Sequence, residues 1–135
     1  MVDVRFTVYY RRATQLADAM KLCQVEPSAY ASAAALLAVH SAISYSDAVL
    51  IGLGGARPRG EHREAITALK RACTGARVDH QGIVHFQKLL SAKNDIAYDE
   101  KPVDNERVTA LCIAAERFRV WAERILEKRQ GRVSS

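Results

Sequence analysis

His40 and Asp47 stand two helical turns apart in a largely apolar stretch, on one side of any helix that contains them. With Leu36, Ile43 and Leu50 they form a series spaced by threes and fours, read here as facing inward, which sets two ionisable groups among apolar neighbours. Burying unpaired charge is costly. The pair must therefore find partners in the core, such as a basic residue of a neighbouring helix for Asp47, or open onto a cleft where the imidazole could act as a general base. A second set, Lys93 and Asn94 with Tyr98 just beyond, follows Leu89 and Leu90 and precedes Ile96 and Ala97 on what reads as an inward face. A lysine and an amide projecting into a groove can hold a phosphate, and a tyrosine can stack on a base or donate its hydroxyl. The structural alternative is a lysine whose stem lies along the core rim beside a tyrosine that caps it.

Other groups offer less. Gly52-Leu53-Gly54-Gly55 follows a helical pattern and lacks the glycine-lysine-serine/threonine ending of a phosphate loop, so it reads as a turn. His80 and His85 diverge around a helix and do not suit a metal, and neither a metal nor a cofactor is expected. Cys23, Cys73 and Cys112 are odd in number and far apart, which fits a reducing cytoplasm better than a disulfide framework.

These residues need elements to position them, and the sequence is rich in helix formers. The chain has 135 residues, room for one domain; 22 are alanine, against 7 glycine and 3 proline. Five helical segments follow from the apolar spacing. The first runs from about Tyr10 to Gln24, with Ala13, Leu16, Met20 and Cys23 inward. The second starts at Pro27 and ends at Leu53, where a glycine can take the left-handed conformation. The third covers Glu61 to Thr74 and closes at Gly75. The fourth starts near Asp79 as N-cap and reaches about Ala97. The fifth, capped by Asp104, runs to about Lys128. Val2, Val4, Phe6 and Val8 alternate with polar residues, the period of a half-buried strand. The expected architecture is all-α, an up-and-down bundle of four to five helices over residues 10–129. Residues 1–9 form a short strand or extended arm that could pair with that of a second copy, and 130–135 a frayed tail.

Charge is distributed unevenly. The net charge is +5, and residues 57–77 carry a local excess of +4 from Arg57, Arg59, Arg63, Lys70, Arg71 and Arg77 against Glu61 and Glu64. Residues 95–106 reverse the sign. A basic face of this kind suits nucleic acid, or makes two copies complementary; solvated helix faces are the ordinary alternative. Residues 27–46 hold no charge but include five serines, His40 and two tyrosines, a polar load that argues against a bilayer. No basic-then-apolar leader opens the chain. A cytoplasmic protein without membrane contact is expected.

The run Phe86-Gln87-Lys88-Leu89-Leu90-Ser91-Ala92-Lys93-Asn94-Asp95-Ile96-Ala97-Tyr98-Asp99, followed by Ala114-Ala115-Glu116-Arg117-Phe118 and Trp121-Ala122-Glu123, resembles the HEPN superfamily of small bacterial helical domains. The string His40-Ser41-Ala42-Ile43-Ser44-Tyr45-Ser46-Asp47-Ala48 is similar to that family's corresponding helix. The likeness spans roughly residues 10–128. It implies a bundle of four or five helices that dimerises, pairs with a small nucleotidyltransferase in toxin–antitoxin modules, and in its active ribonucleases cleaves RNA at the dimer cleft. Where the family has an arginine, a polar neighbour and a histidine, this chain has Lys93, Asn94 and Tyr98. Lysine offers a point charge in place of a bidentate fork, and tyrosine, titrating near 10, is a poor proton shuttle at neutral pH. The implied function is a helical homodimer that binds nucleotide, RNA or a partner protein through Lys93, Asn94, Tyr98 and Asp47 without efficient cleavage. Two alternatives stand beside it: an endoribonuclease toxin using His40 and Lys93, with Asp47 as a further catalytic candidate, and a pure interaction module.

Overall fold

In the computed structural model of the chain, residues 4–57, 62–98 and 104–134 are described, the side chains of 62, 63, 97, 98 and 130–134 excepted. These residues form five α-helices: α1 Val4–Gln24, α2 Ala31–Gly52, α3 His62–Ala76, α4 Ile83–Tyr98 and α5 Asn105–Ser134. The all-α bundle is as the composition and spacing predict. Its centre is α2, which packs against each of the other four helices, most extensively against α1 and then α5. From Ser41 to Ile51 almost every residue of α2 is buried, so no polar stripe survives there. By length and composition α2 could cross a membrane, yet 78% of its most apolar window is covered by the other helices of this fold.

The N-terminal expectation is corrected. Residues 4–9 are the first turns of α1, neither strand nor extended arm; residues 1–3 lie outside the described residues. Phe6, Tyr10, Ala13, Ala17 and Met20 step by fours and threes, and that helical period prevails over the alternation because Val4 and Val8 are exposed while Phe6 is buried. Phe6 meets Tyr10 at 5.7 Å between ring centroids, and Tyr10 meets the edge of Tyr45 on α2 at 6.2 Å. A lone strand would leave its ladder groups unpaired, whereas a helix satisfies them internally.

Several termini also shift. α2 begins at Ala31, after a turn in which the Glu26 carbonyl accepts from Ala29 and Tyr30 N–H, and not at Pro27. Its end matches the expectation: Gly54 has φ 83°, Gly55 N–H donates to the Leu50 carbonyl at 2.7 Å and Gly54 N–H to that of Ile51 at 3.1 Å, a Schellman closure. α3 continues through Gly75, and the same closure falls on Arg77, with φ 58°, Val78 N–H donating to Cys73 and Arg77 N–H to Thr74. Left-handed backbone costs an L-residue roughly 1–2 kcal/mol, which a glycine would avoid. Asp79 caps the turn before α4 and not α4 itself, accepting the Gln81 N–H at 3.0 Å. Asp104 does cap α5, accepting from Glu106 N–H at 3.1 Å. α5 extends to Ser134, past the expected end at Lys128 and through most of the expected tail.

Two structures tie α5 down. Phe86 of α4 stacks on Phe118 at 5.0 Å, and Phe118 on Trp121 at 5.4 Å. Gly82 is needed beneath that stack, since a Cβ there would overlap the Trp121 ring. Across the bundle, the Tyr45 hydroxyl donates to Glu123 at 2.8 Å, and Arg119 links Glu123 to Glu116. Burial first, then the bond to Glu123, raises the Tyr45 pKa, so this phenol stays a donor.

Candidate nucleic-acid interface

The residues that the sequence singles out do not converge. His40 and Leu36 are exposed, and Ile43 is half-buried, while Asp47 and Leu50 of the same series are buried; in the first half of α2 the buried side is carried by Ala35, Ala38, Val39 and Ala42, roughly 100° round the helix from Leu36 and His40, and Tyr45 and Val49 continue it. His40 is thus neither a core histidine nor a partner of Asp47. On α4 the inward positions are Phe86, Leu89, Leu90, Ala92 and Ile96. Lys93 lies at the edge of that stripe with its stem half covered, and Asn94, roughly 100° further round the helix, faces solvent, which corrects the inward reading of both. The Tyr98 side chain is outside the described residues. Among the described residues no hydrogen bond or ion pair joins His40, Lys93 or Asn94 to Asp47. The neighbouring Asp95 is committed to Arg107 at 2.9 Å.

Asp47 is buried and already has its partner. Arg57, in the connection that follows α2, reaches back to place Nε 3.1 Å from the Asp47 carboxylate. The same guanidinium donates to the Tyr9 hydroxyl at 3.1 Å and lies over the Tyr9 ring, 5.2 Å from its centroid. Burial raises the Asp47 pKa, and the Arg57 charge opposes that rise. The result is a latch fastening the connection to α1, and the basic residue that Asp47 meets comes from a loop, not from a neighbouring helix.

The latch carries a pH signature. A carboxylate whose folded pKa lies above its unfolded value of about 3.9 is destabilising when ionised and harmless once protonated. Arg57→Ala leaves that carboxylate buried without its partner, and because Arg57 is itself half exposed the cost at pH 7 is expected to be about 1–3 kcal/mol. The deficit relative to the parent protein shrinks as the pH falls toward the ordinary carboxylate range and Asp47 takes up a proton. Urea unfolding of both proteins at several pH values measures it; a deficit independent of pH contradicts the assignment.

A depression with a basic rim lies elsewhere on the described surface. A groove of about 670 Å³ runs between the end of α2 and the outer side of α3, floored by Leu50, Leu53, Ala68 and Ala72 and edged by Gly54, Gly55 and Ala56. Arg71 and Arg77 from the α3 end and Arg129 from α5 line it. An adjoining recess of about 160 Å³ shares Arg77 and Arg129 and adds Arg124 and Lys128. Its one acidic residue, Asp79, is spent: it accepts from the Trp121 indole at 2.9 Å and pairs with Arg124 at 3.2 Å. Burial alone would raise the Asp79 pKa, but the Gln81 N–H, the indole and Arg124 hold it below the usual range, so it stays ionised and engaged.

Arg57, Arg107, Arg119 and Arg124 each meet a carboxylate. Among the described residues Arg71, Arg77 and Arg129 meet none. Arg11, Arg12 and Arg117 also meet no carboxylate among the described residues, so what distinguishes the groove arginines is that they share one concave surface. Three unpaired guanidinium groups around a concave surface make a site for phosphate oxygens. The sequence marks Arg71 and Arg77 through the basic run over 57–77, but Arg57 of that run is used in the latch, and Arg59 and the Arg63 side chain lie outside the described residues. Arg129 carries no local signal, since only the fold brings it to α3. Among the described residues the groove lining holds no histidine, carboxylate or phenol. Burial pushes the Cys73 and Cys112 thiols up to about 11, leaving them unreactive near neutrality.

No family model matches the chain, and no curated protein is significantly similar to it.

Proposed function

We propose that this chain is a helical RNA-binding module of the HEPN type, which holds the phosphate backbone in the basic groove of Arg71, Arg77 and Arg129 and does not cleave it. The observation that carries the reading is the convergence of three unpaired arginines on one groove beside Arg124 and Lys128. The absence of any general acid or base from the described lining supports binding over catalysis. The HEPN resemblance adds a second copy of the chain and a nucleotidyltransferase as partners, in the cytoplasm.

Fluorescence anisotropy with an end-labelled single-stranded RNA, titrated at several KCl concentrations, tests it. Three phosphate contacts to a single strand correspond to a slope of about +2 in log Kd against log salt, by the counterion release that each contact causes. The RNA should be recovered intact from the titration. Binding that ignores salt contradicts the proposal, as does cleavage that survives purification and is lost in Lys93→Ala or His40→Ala, which would restore the ribonuclease reading.

A further inference from the structure

Resting on that reading, we infer that the groove recognises the phosphodiester backbone, indifferent to adenine against uracil and to ribose against deoxyribose, and that Arg77 is its anchoring residue. The lining explains the indifference. Among the described residues, the lining around the three guanidinium groups offers leucine, alanine and glycine, with no aromatic ring on which a base could stack and no side-chain amide or carboxylate to read adenine, cytosine or a ribose hydroxyl; the guanidinium forks themselves could read only guanine. What remains is charge and fork geometry, and both suit phosphate oxygens common to every nucleotide.

Arg77 stands out by its backbone. It occupies the left-handed position that closes α3, where an arginine is the more strained choice and a glycine the relaxed one. Arg77 lines both the groove and the adjoining recess. Arg129 of α5 lines both as well, so either side chain can bridge phosphates lying in the two depressions; of the two, Arg77 alone does so from a left-handed backbone. Strain retained at a position that faces a binding surface is accounted for when the side chain is needed there.

The test pairs a ligand panel with one variant. Equal-length rA, rU and dA homopolymers and long-chain inorganic polyphosphate are titrated against the intact protein, and again against Arg77→Gly, whose melting temperature is recorded. The expected result is affinities within about threefold among the nucleic acids, competition by polyphosphate, and a loss of at least about tenfold on Arg77→Gly although its melting temperature is unchanged or a few degrees higher. A preference above about tenfold for one base or sugar of the panel overturns the inferred indifference while leaving RNA binding in place. Undiminished affinity in Arg77→Gly overturns the anchor. Failure of every homopolymer to bind removes both this inference and the proposal beneath it.

Discussion

Replacing Arg71, Arg77 and Arg129 together by glutamate is expected to abolish RNA binding and to leave the fold as stable as before. All three side chains are exposed and none is paired with a carboxylate among the described residues, so their exchange breaks no interaction inside the bundle. Each guanidinium–phosphate contact contributes on the order of 1 kcal/mol, and three lost contacts with added repulsion correspond to at least about a hundredfold in Kd. Glutamate at Arg77 meets the same backbone strain as arginine, so that position adds no new instability. Lys93→Ala is the informative companion, because the fold holds Lys93 at the rim of α4 and not in the groove lining; its affinity should match the parent protein. Anisotropy and circular dichroism on the two variants separate the readings: the triple variant should be folded and inert, the lysine variant folded and active. The reverse pattern would return the site to α4.

Phe118→Ala is expected to cause the largest loss of stability of any single change considered, roughly 3–5 kcal/mol. The ring is completely buried between Phe86 and Trp121 and is the middle member of the stack joining α4 to α5. Domains of this size are stable by only about 5–15 kcal/mol, so the variant should be near its unfolding threshold at physiological temperature. Denaturant titration should show a lower midpoint with an unchanged slope. The loss should reach the groove as well, because Trp121 holds Asp79 and Asp79 holds Arg124 beside the recess. A change below about 1 kcal/mol would mean that α4 and α5 are not joined through this stack.

How much of this was legible in the sequence follows from where each residue gets its environment. α5 was legible because Val108, Leu111, Ala115, Phe118, Ala122 and Ile125 keep a helical period against a polar opposite face, and Asp104 announces the start. α2 is legible as a helix but not in its rotation: buried nearly all round over its second half, it gives periodicity little contrast, and His40 lies on a face it does not share with Tyr45. At the N-terminus two apolar periods coexist in the sequence, and the contact of Tyr10 with Tyr45, distant in the chain, decides between them. Asp47 was rightly expected to find a basic partner, but no local signal names Arg57, which arrives by a chain reversal. The groove lacks a local signal for the same reason. Arg71 and Arg77 belong to a visible basic run, whereas Arg124, Lys128 and Arg129 sit on a helix end that looks solvated until it is folded against α3 and the α2 turn.

The most direct test is to map where RNA lies. Ultraviolet cross-linking of the intact protein to a 4-thiouridine-containing single-stranded RNA, followed by mass spectrometry of the modified peptides, should place the adducts in the segments around Arg71 to Arg77 and Arg124 to Arg129. Adducts concentrated instead between Lys88 and Tyr98, or around His40, would contradict the account and show that the phosphate is held on α4 or α2.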